Sequence, residues 1–103
     1  MNKPFDKPIT IQRINESTEQ WDDLYHVHAY VNKSKTDNEY LGSGAIQAKR
    51  TLVFEIRYFG NLEEISYDLQ RFRIVYNGVN FNITDYDDFM LAHKTVKLLG
   101  ESY

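Results

Sequence analysis

His26 and His28 are the first residues in this chain whose types and spacing could do chemistry. On a strand, residues two apart share a face. Two imidazoles so placed can grip a zinc ion, with His93 as a third ligand. No flanking carboxylate pattern orients those rings, so surface histidines on a polar strand face are the favoured reading. Asp85, Asp87 and Asp88 offer oxygens that could hold Ca²⁺ or Mg²⁺. A helix-loop-helix calcium loop needs a glycine after its third ligand and a distant glutamate, and neither fits, so the run reads as a solvated acidic turn. Nucleophilic catalysis has little to build on. The chain has no cysteine, and no serine lies in a Gly-x-Ser-x-Gly elbow. Gly42-Ser43-Gly44 is too short for a phosphate loop and lacks its Lys-Ser/Thr ending. No paired carboxylates with a recognisable spacing fall on neighbouring strands. The expectation is a protein that is not an enzyme and needs no cofactor or metal.

The aromatic residues Tyr25, Tyr30, Phe54, Tyr58, Phe72 and Phe81 offer a different chemistry, a stacking platform for bases. That reading, a small β-barrel that binds nucleic acid, is kept as the alternative. Against it, most of these rings fall on apolar strand faces that a core would claim. The formal net charge is −3, which disfavours tight non-specific binding to a polyanion.

The elements that must position these residues follow from length and pattern. The chain has 103 residues, enough for one domain, which buries roughly 60–70% of the surface of its unfolded form. Its apolar fraction is 42%, with eight tyrosines and six phenylalanines, a balance that favours strands. The absence of cysteine is compatible with a reducing compartment. The opening Met-Asn-Lys-Pro-Phe-Asp-Lys-Pro has no apolar leader core and no run approaches a membrane span. A soluble protein made in the cytoplasm, without a membrane partner, is expected.

The strongest local signal is Arg71 to Ile83. Asn77-Gly78 is the preferred pair for a type I′ turn, whose two central residues need positive φ. A two-residue turn sets the register, placing Tyr76 opposite Val79, Ile74 opposite Phe81 and Phe72 opposite Ile83. Paired residues share a face, so six apolar side chains line one side and Arg73, Val75, Asn80 and Asn82 the other. Around this hairpin, residues 9–14 alternate as a first strand after a mobile tail, residues 1–8, marked by Pro4 and Pro8. Residues 15–20 read as a loop, and residues 24–31 as a second strand with Tyr25, Val27, Ala29 and Val31 on one side. Residues 32–50 form a long loop containing a capping box, Thr36 to Glu39, and a short helix near residues 37–41. Residues 51–59 alternate as a third strand. Asn61 with Glu64 suggests a helix start, residues 84–88 an acidic turn, and residues 94–99 a closing strand. The fold class expected is mainly β: a small antiparallel barrel or sandwich of five to six strands, one or two short helices, and a long loop between strands two and three.

In that order and spacing, four pieces resemble the head–tail joining, or head-closure, proteins of tailed bacteriophages. Ile9-Thr-Ile-Gln-Arg13 is similar to that family's first strand, and Trp21-x-x-Leu24-x-x-Val27-x-Ala29-x-Val31 to its second. Glu39-Tyr-Leu, Ala48 and Phe54-Glu-Ile-Arg57-Tyr58 resemble its loop helix and third strand. Arg73-Ile-Val-Tyr76-x-Gly78-x-x-Phe81-x-Ile83 resembles its terminal hairpin. Residues 60–69, richer in helix signals, and residues 85–93 depart from the pattern. The resemblance implies a structural virion protein at the head–tail interface. Copies of it, on the order of twelve, would form a ring beneath a portal or adaptor protein, close the filled head and dock a tail completion protein. It further implies that the loop between strands two and three faces the channel and gates the DNA. Lys33, Lys35, Lys49 and Arg50 would then meet phosphates without reading sequence, with Gly42 and Gly44 giving the loop its freedom. Ordinary solubilising surface charge is the competing account of those four cations.

Overall fold

The computed structural model describes residues 4–33, 50–88 and 94–102. Six strands account for most of them: β1 (Lys7–Asn15), β2 (Gln20–Lys33), β3 (Arg50–Arg57), β4 (Phe72–Tyr76), β5 (Val79–Asp87) and β6 (Thr95–Ser102). One helical turn, α1 (Glu64–Tyr67), and a 3-10 turn (Leu69–Arg71) lie between β3 and β4. The strands close on themselves as a barrel in the order β1-β2-β3-β6-β5-β4, and every neighbouring pair is antiparallel. The chain is mainly β, as its alternation and turn signals indicate.

Alternation along each strand puts one side-chain set inside this barrel, where small barrels are filled rather than hollow. Ile11, Phe54, Ile56, Ile74, Val96 and Leu98 are fully buried, with Phe81 nearly so. Phe54 meets Phe81 edge-on, ring centres 5.3 Å apart, and Tyr76 at 5.7 Å, an arrangement favoured by the ring quadrupoles. Gly100 completes this layer: a Cβ there would stand 2.9 Å from Phe54 and 3.0 Å from Phe81. In the β4–β5 hairpin Tyr76 lies opposite Val79 and Ile74 opposite Phe81. Asn77 and Gly78 take φ values of 52° and 75°.

Several boundaries differ from the sequence reading, each because a neighbouring strand supplies partners that local pattern does not reveal. Lys7 and Pro8 belong to β1, paired with Ala29 and His28, so the unpaired tail is shorter than residues 1–8. Phe5 is anchored too, beneath the Arg57 guanidinium at 4.8 Å. β2 begins at Gln20, and its register with β1 shifts between Ile11 and Gln12, leaving Leu24 as a bulge. β3 ends at Arg57, and Tyr58 instead donates its N–H to the Lys94 carbonyl at 3.0 Å. Residues 84–87 are not a turn but the second half of β5, opposite Leu99, Leu98 and Lys97 of β6, past a bulge between Ile83 and Asp85. β6 correspondingly runs to Ser102, where Arg50 and Thr51 pair with Ser102 and Glu101. Asn61 does not cap α1 with its side chain. The Glu64 N–H bonds the Asn61 backbone carbonyl at 3.0 Å, and the helix is a single turn. The short helix expected near residues 37–41 lies outside the described residues.

Candidate assembly surfaces

The antiparallel order gives the two barrel ends different, mixed sets of charges. β2 leaves the barrel with Lys33 and β3 enters it with Arg50, beside the start of β1 at Lys7 and the Asn77-Gly78 turn. Lys33 and Arg50 are exposed, and Lys33 is the last residue of β2 to pair with β3, opposite Leu52. Both cations are therefore strand ends rather than loop residues. Lys35, Gly42, Gly44 and Lys49 lie outside the described residues. The other end has more carboxylates, Glu16 and Glu19 in the β1–β2 turn, Glu63, Glu64 and Asp68 around α1, and Asp85, Asp87 and Asp88 at the close of β5, several of them ion-paired there, Glu64 with Arg13 and both Glu16 and Asp68 with Arg71.

At that end α1 works as a plug. Leu62 and Ile65, three apart, are fully buried under the barrel, while Glu63 and Tyr67 face outward. Beside them, burial pushes the Tyr86 phenol well above its ordinary value, and the negative neighbours Asp88 and Glu63 push the same way. The Tyr86 hydroxyl is buried and has no hydrogen-bond partner among the described residues. Tyr58 and Tyr25 are raised by desolvation as well. Among the described residues no cluster of three or more potential metal ligands occurs. Asp85 and Asp87 are exposed on a strand, whereas Asp88 is buried, so the three do not converge on one ion. His26 and His28 are both exposed on β2, and His93 is outside the described residues. His26 instead shares a contact with the Thr10 hydroxyl at 3.2 Å and lies 3.8 Å from Asp23.

The base-stacking platform does not form. Phe54, Phe72 and Phe81 are buried in the core, and Tyr25 packs edge-on against Phe59 at 4.9 Å. Hydrophobic burial outranks stacking for these rings, as the apolar faces foreshadow.

A different cluster, which local sequence reading does not find, covers the outside of β2, β1 and β4. The Arg73 guanidinium stacks on Trp21 at 4.4 Å and donates from Nε to Gln12 Oε1 at 2.7 Å. Gln12 Nε2 in turn donates to Asp23 Oδ1 at 2.7 Å. Assembling this chain of contacts needs both the β1–β4 pairing, which joins Gln12 to Arg73, and the β2 bulge, which brings Asp23 opposite Gln12. The only sequence signal for it is the polar half of three separate alternations.

The arrangement is thus a filled barrel with charged ends and a fixed polar network on one wall, suited to contacts with other macromolecules. No match was found among curated proteins. The model of a family described as phage head completion protein matches residues 5–100, nearly the whole chain and every strand of the barrel but its last two residues. The chain belongs to the phage head completion protein family, and is a structural protein of the virion.

Proposed function

We propose that this protein assembles as a ring at the portal or adaptor of a filled phage head, retains the packaged DNA and presents the docking surface for the tail. The observation that carries the reading beyond the family is the placement of the exposed Lys33 and Arg50 as the strand ends that flank the β2–β3 segment. Lys33 and Arg50 stand where the chain leaves β2 and enters β3, with Lys7 at the same end 3.9 Å from Asp6 and Glu101 opposite Thr51, and most of the described carboxylates lie at the opposite end. In a channel that holds DNA, the Lys33 and Arg50 end would face phosphates and be attracted without sequence readout. The opposite, more acidic end would face the protein side of the joint, away from the polyanion. The segment between β2 and β3, with Lys35, Gly42, Gly44 and Lys49, is then the channel-facing element, and transient contact with DNA is its role. Individual subunit contacts can be weak, because repetition around a closed ring raises the effective concentration of each next contact. The protein is made in the host cytoplasm as a monomer or weak oligomer and ordered by the portal or adaptor.

Deletion of the coding sequence from the parent phage, followed by electron microscopy of the lysate, tests this. The expected result is heads that fill, lose DNA and carry no tails, restored by the wild-type protein supplied in trans. Normal tailed virions from the deletion would refute it.

A further inference from the structure

We infer that the open edge of β2 at His26 and His28 is a strand-addition site, and that its occupant is an extended segment of another protein in the joint, one in which carboxylates alternate with an apolar side chain. The inference takes its setting from the closure reading above, while the edge itself follows from the ladders alone.

The barrel is not laddered along its whole height. β2 pairs with β1 from Gln20 to Ala29 but with β3 only from Tyr30 to Lys33. In an antiparallel sheet successive residues direct their N–H and C=O to opposite sides. The Tyr58 N–H reaches the Lys94 carbonyl at 3.0 Å, so Tyr58, and with it Ile56 and Phe54, points towards β6. Glu55 and Arg57 therefore point towards β2, and Tyr30, opposite Glu55, points towards β3. His28 and His26 share the parity of Tyr30. Pro8 agrees, since it lies opposite His28 and has no N–H to give. Both histidines thus turn their backbone groups away from β1, and no backbone partner among the described residues meets them. Arg57 would be the next rung opposite His28, but the ladder stops at Glu55. A row of unpaired N–H and C=O groups is a template for another strand.

The parting strands leave a cleft of about 350 Å³ lined by Phe5, Val27, His28, Arg57 and Phe59, and its chemistry selects the occupant. A residue added opposite His28 or His26 shares the outer face with them, beside the exposed Arg57. The Arg57 guanidinium lies on the Phe5 ring at 4.8 Å and has no carboxylate partner among the described residues. A carboxylate placed there completes a charge-assisted pair. The residue between two such acids turns inward onto Val27 and Phe59, both half-buried, and is apolar. A second copy does not fit. Paired edge to edge it would set imidazoles against imidazoles, and the one carboxylate–apolar–carboxylate run of this chain, Asp85-Tyr86-Asp87, is already in the β5–β6 ladder.

The test uses the full-length protein supplied to the deletion phage. His28→Pro removes the N–H that faces the open edge and none that bonds β1. Proline is tolerated at such an edge, so circular dichroism and thermal unfolding are expected to match wild type while plaque titre falls at least tenfold. His28→Ala keeps the N–H and is expected to stay within a few-fold of wild type. Arg57→Glu, facing an acidic strand, is expected to lose at least tenfold. Full titre with a folded His28→Pro or Arg57→Glu protein overturns the inference, and so does an equal loss with His28→Ala, which would assign the effect to the imidazole. If His28→Pro does not fold, hydrogen exchange of the wild-type protein decides. The His26 and His28 amides are expected to exchange freely in the purified protein and at least tenfold more slowly in completed heads, and equal rates overturn the inference. A photoreactive benzophenone side chain in place of His28 identifies the occupant. A cross-link mapped to a carboxylate–apolar–carboxylate stretch of another virion protein supports the inference. A dimer of this chain, a cross-link to any other stretch, or no adduct overturns it. Normal virions from the deletion itself remove the closure role and this inference with it, whereas a defective deletion rescued by His28→Pro removes the inference alone.

Discussion

Gly100 shows most directly how a single residue is fixed by its surroundings. The gap it leaves is filled by Phe54 and by Phe81, and a methyl group there would sit at 2.9 Å and 3.0 Å from them. Both neighbours are themselves buried and cannot swing away. Gly100→Ala should therefore lower stability by about 1–3 kcal/mol, the usual cost of overpacking, read as a lower urea midpoint with an unchanged slope. Gly78 is the contrasting case. Nothing lies within 4 Å of a Cβ there, but its φ is +75°. Gly78→Val should cost about 1–2 kcal/mol from the left-handed backbone alone, and more than Gly78→Asn, since Asn visits that region readily. The same denaturation series separates the two. Tyr86 should move the other way. Its hydroxyl is buried without a partner among the described residues, a condition that penalises the folded state, so Tyr86→Phe is expected to hold or raise the midpoint. The sign of the pH effect follows from the raised phenols of Tyr86, Tyr58 and Tyr25. The unfolded chain ionises these groups from about the model value of 10.0 upward, while the folded chain keeps them protonated. Their contribution is whole below that pH and is lost as pH rises towards the folded values. Alkaline unfolding above about pH 10 should thus be less steep in Tyr86→Phe than in wild type.

At the scale of elements, what could be read from the sequence was whatever is encoded within a few residues. Alternation names the strands, and the Asn77-Gly78 pair fixes the β4–β5 register because a two-residue turn permits only one. What could not be read depends on strands distant in sequence. Thr84 to Asp88 looks like an acidic turn because Asp is rare in strands. It is strand as far as Asp87 because β6 offers a ladder and leaves Asp85 and Asp87 in water. Leu24 as a bulge is likewise invisible until β1 is alongside, and with it goes the meeting of Asp23, Gln12 and Arg73. The helix signal between residues 60 and 69 was genuine but short. Leu62 and Ile65 are fully buried, so α1 is held by burial rather than by its four-residue length, which is too short to persist alone. Leu62→Ala should accordingly cost about 2–5 kcal/mol. Glu63→Ala, on the exposed side of the same turn, should change stability by no more than about 0.5 kcal/mol. Equal losses in both variants would mean that the plug depends on local helix formation instead.

At the scale of the whole molecule, the barrel carries two exposed cations, Lys33 and Arg50, where the β2–β3 segment joins it, and that placement makes a prediction that no single strand contains. The net charge of −3 would repel DNA if spread evenly, yet the exposed Lys33 and Arg50 sit at the end opposite the main carboxylate group. Screening limits such an effect to about 8 Å at physiological salt, so Lys33 and Arg50 act on phosphate beside them with little influence from acids a strand-length away, while Asp6 and Glu101 at their own end oppose them. Reversing them, as Lys33→Glu with Arg50→Glu, leaves the core untouched because neither side chain is buried. Heads completed with this variant should fill normally and attach tails, but release DNA sooner under chelator or heat, measured as nuclease-sensitive DNA over time. The difference from wild type should shrink as salt is raised, because a phosphate contact is weakened by competing counterions. If retention is unchanged at low salt, these two residues are solubilising charges and the DNA is held by shape alone. A faster release that persists at high salt would point instead to a disturbed ring, and the thermal unfolding of the purified variant would locate that disturbance in the barrel or in the contacts between copies.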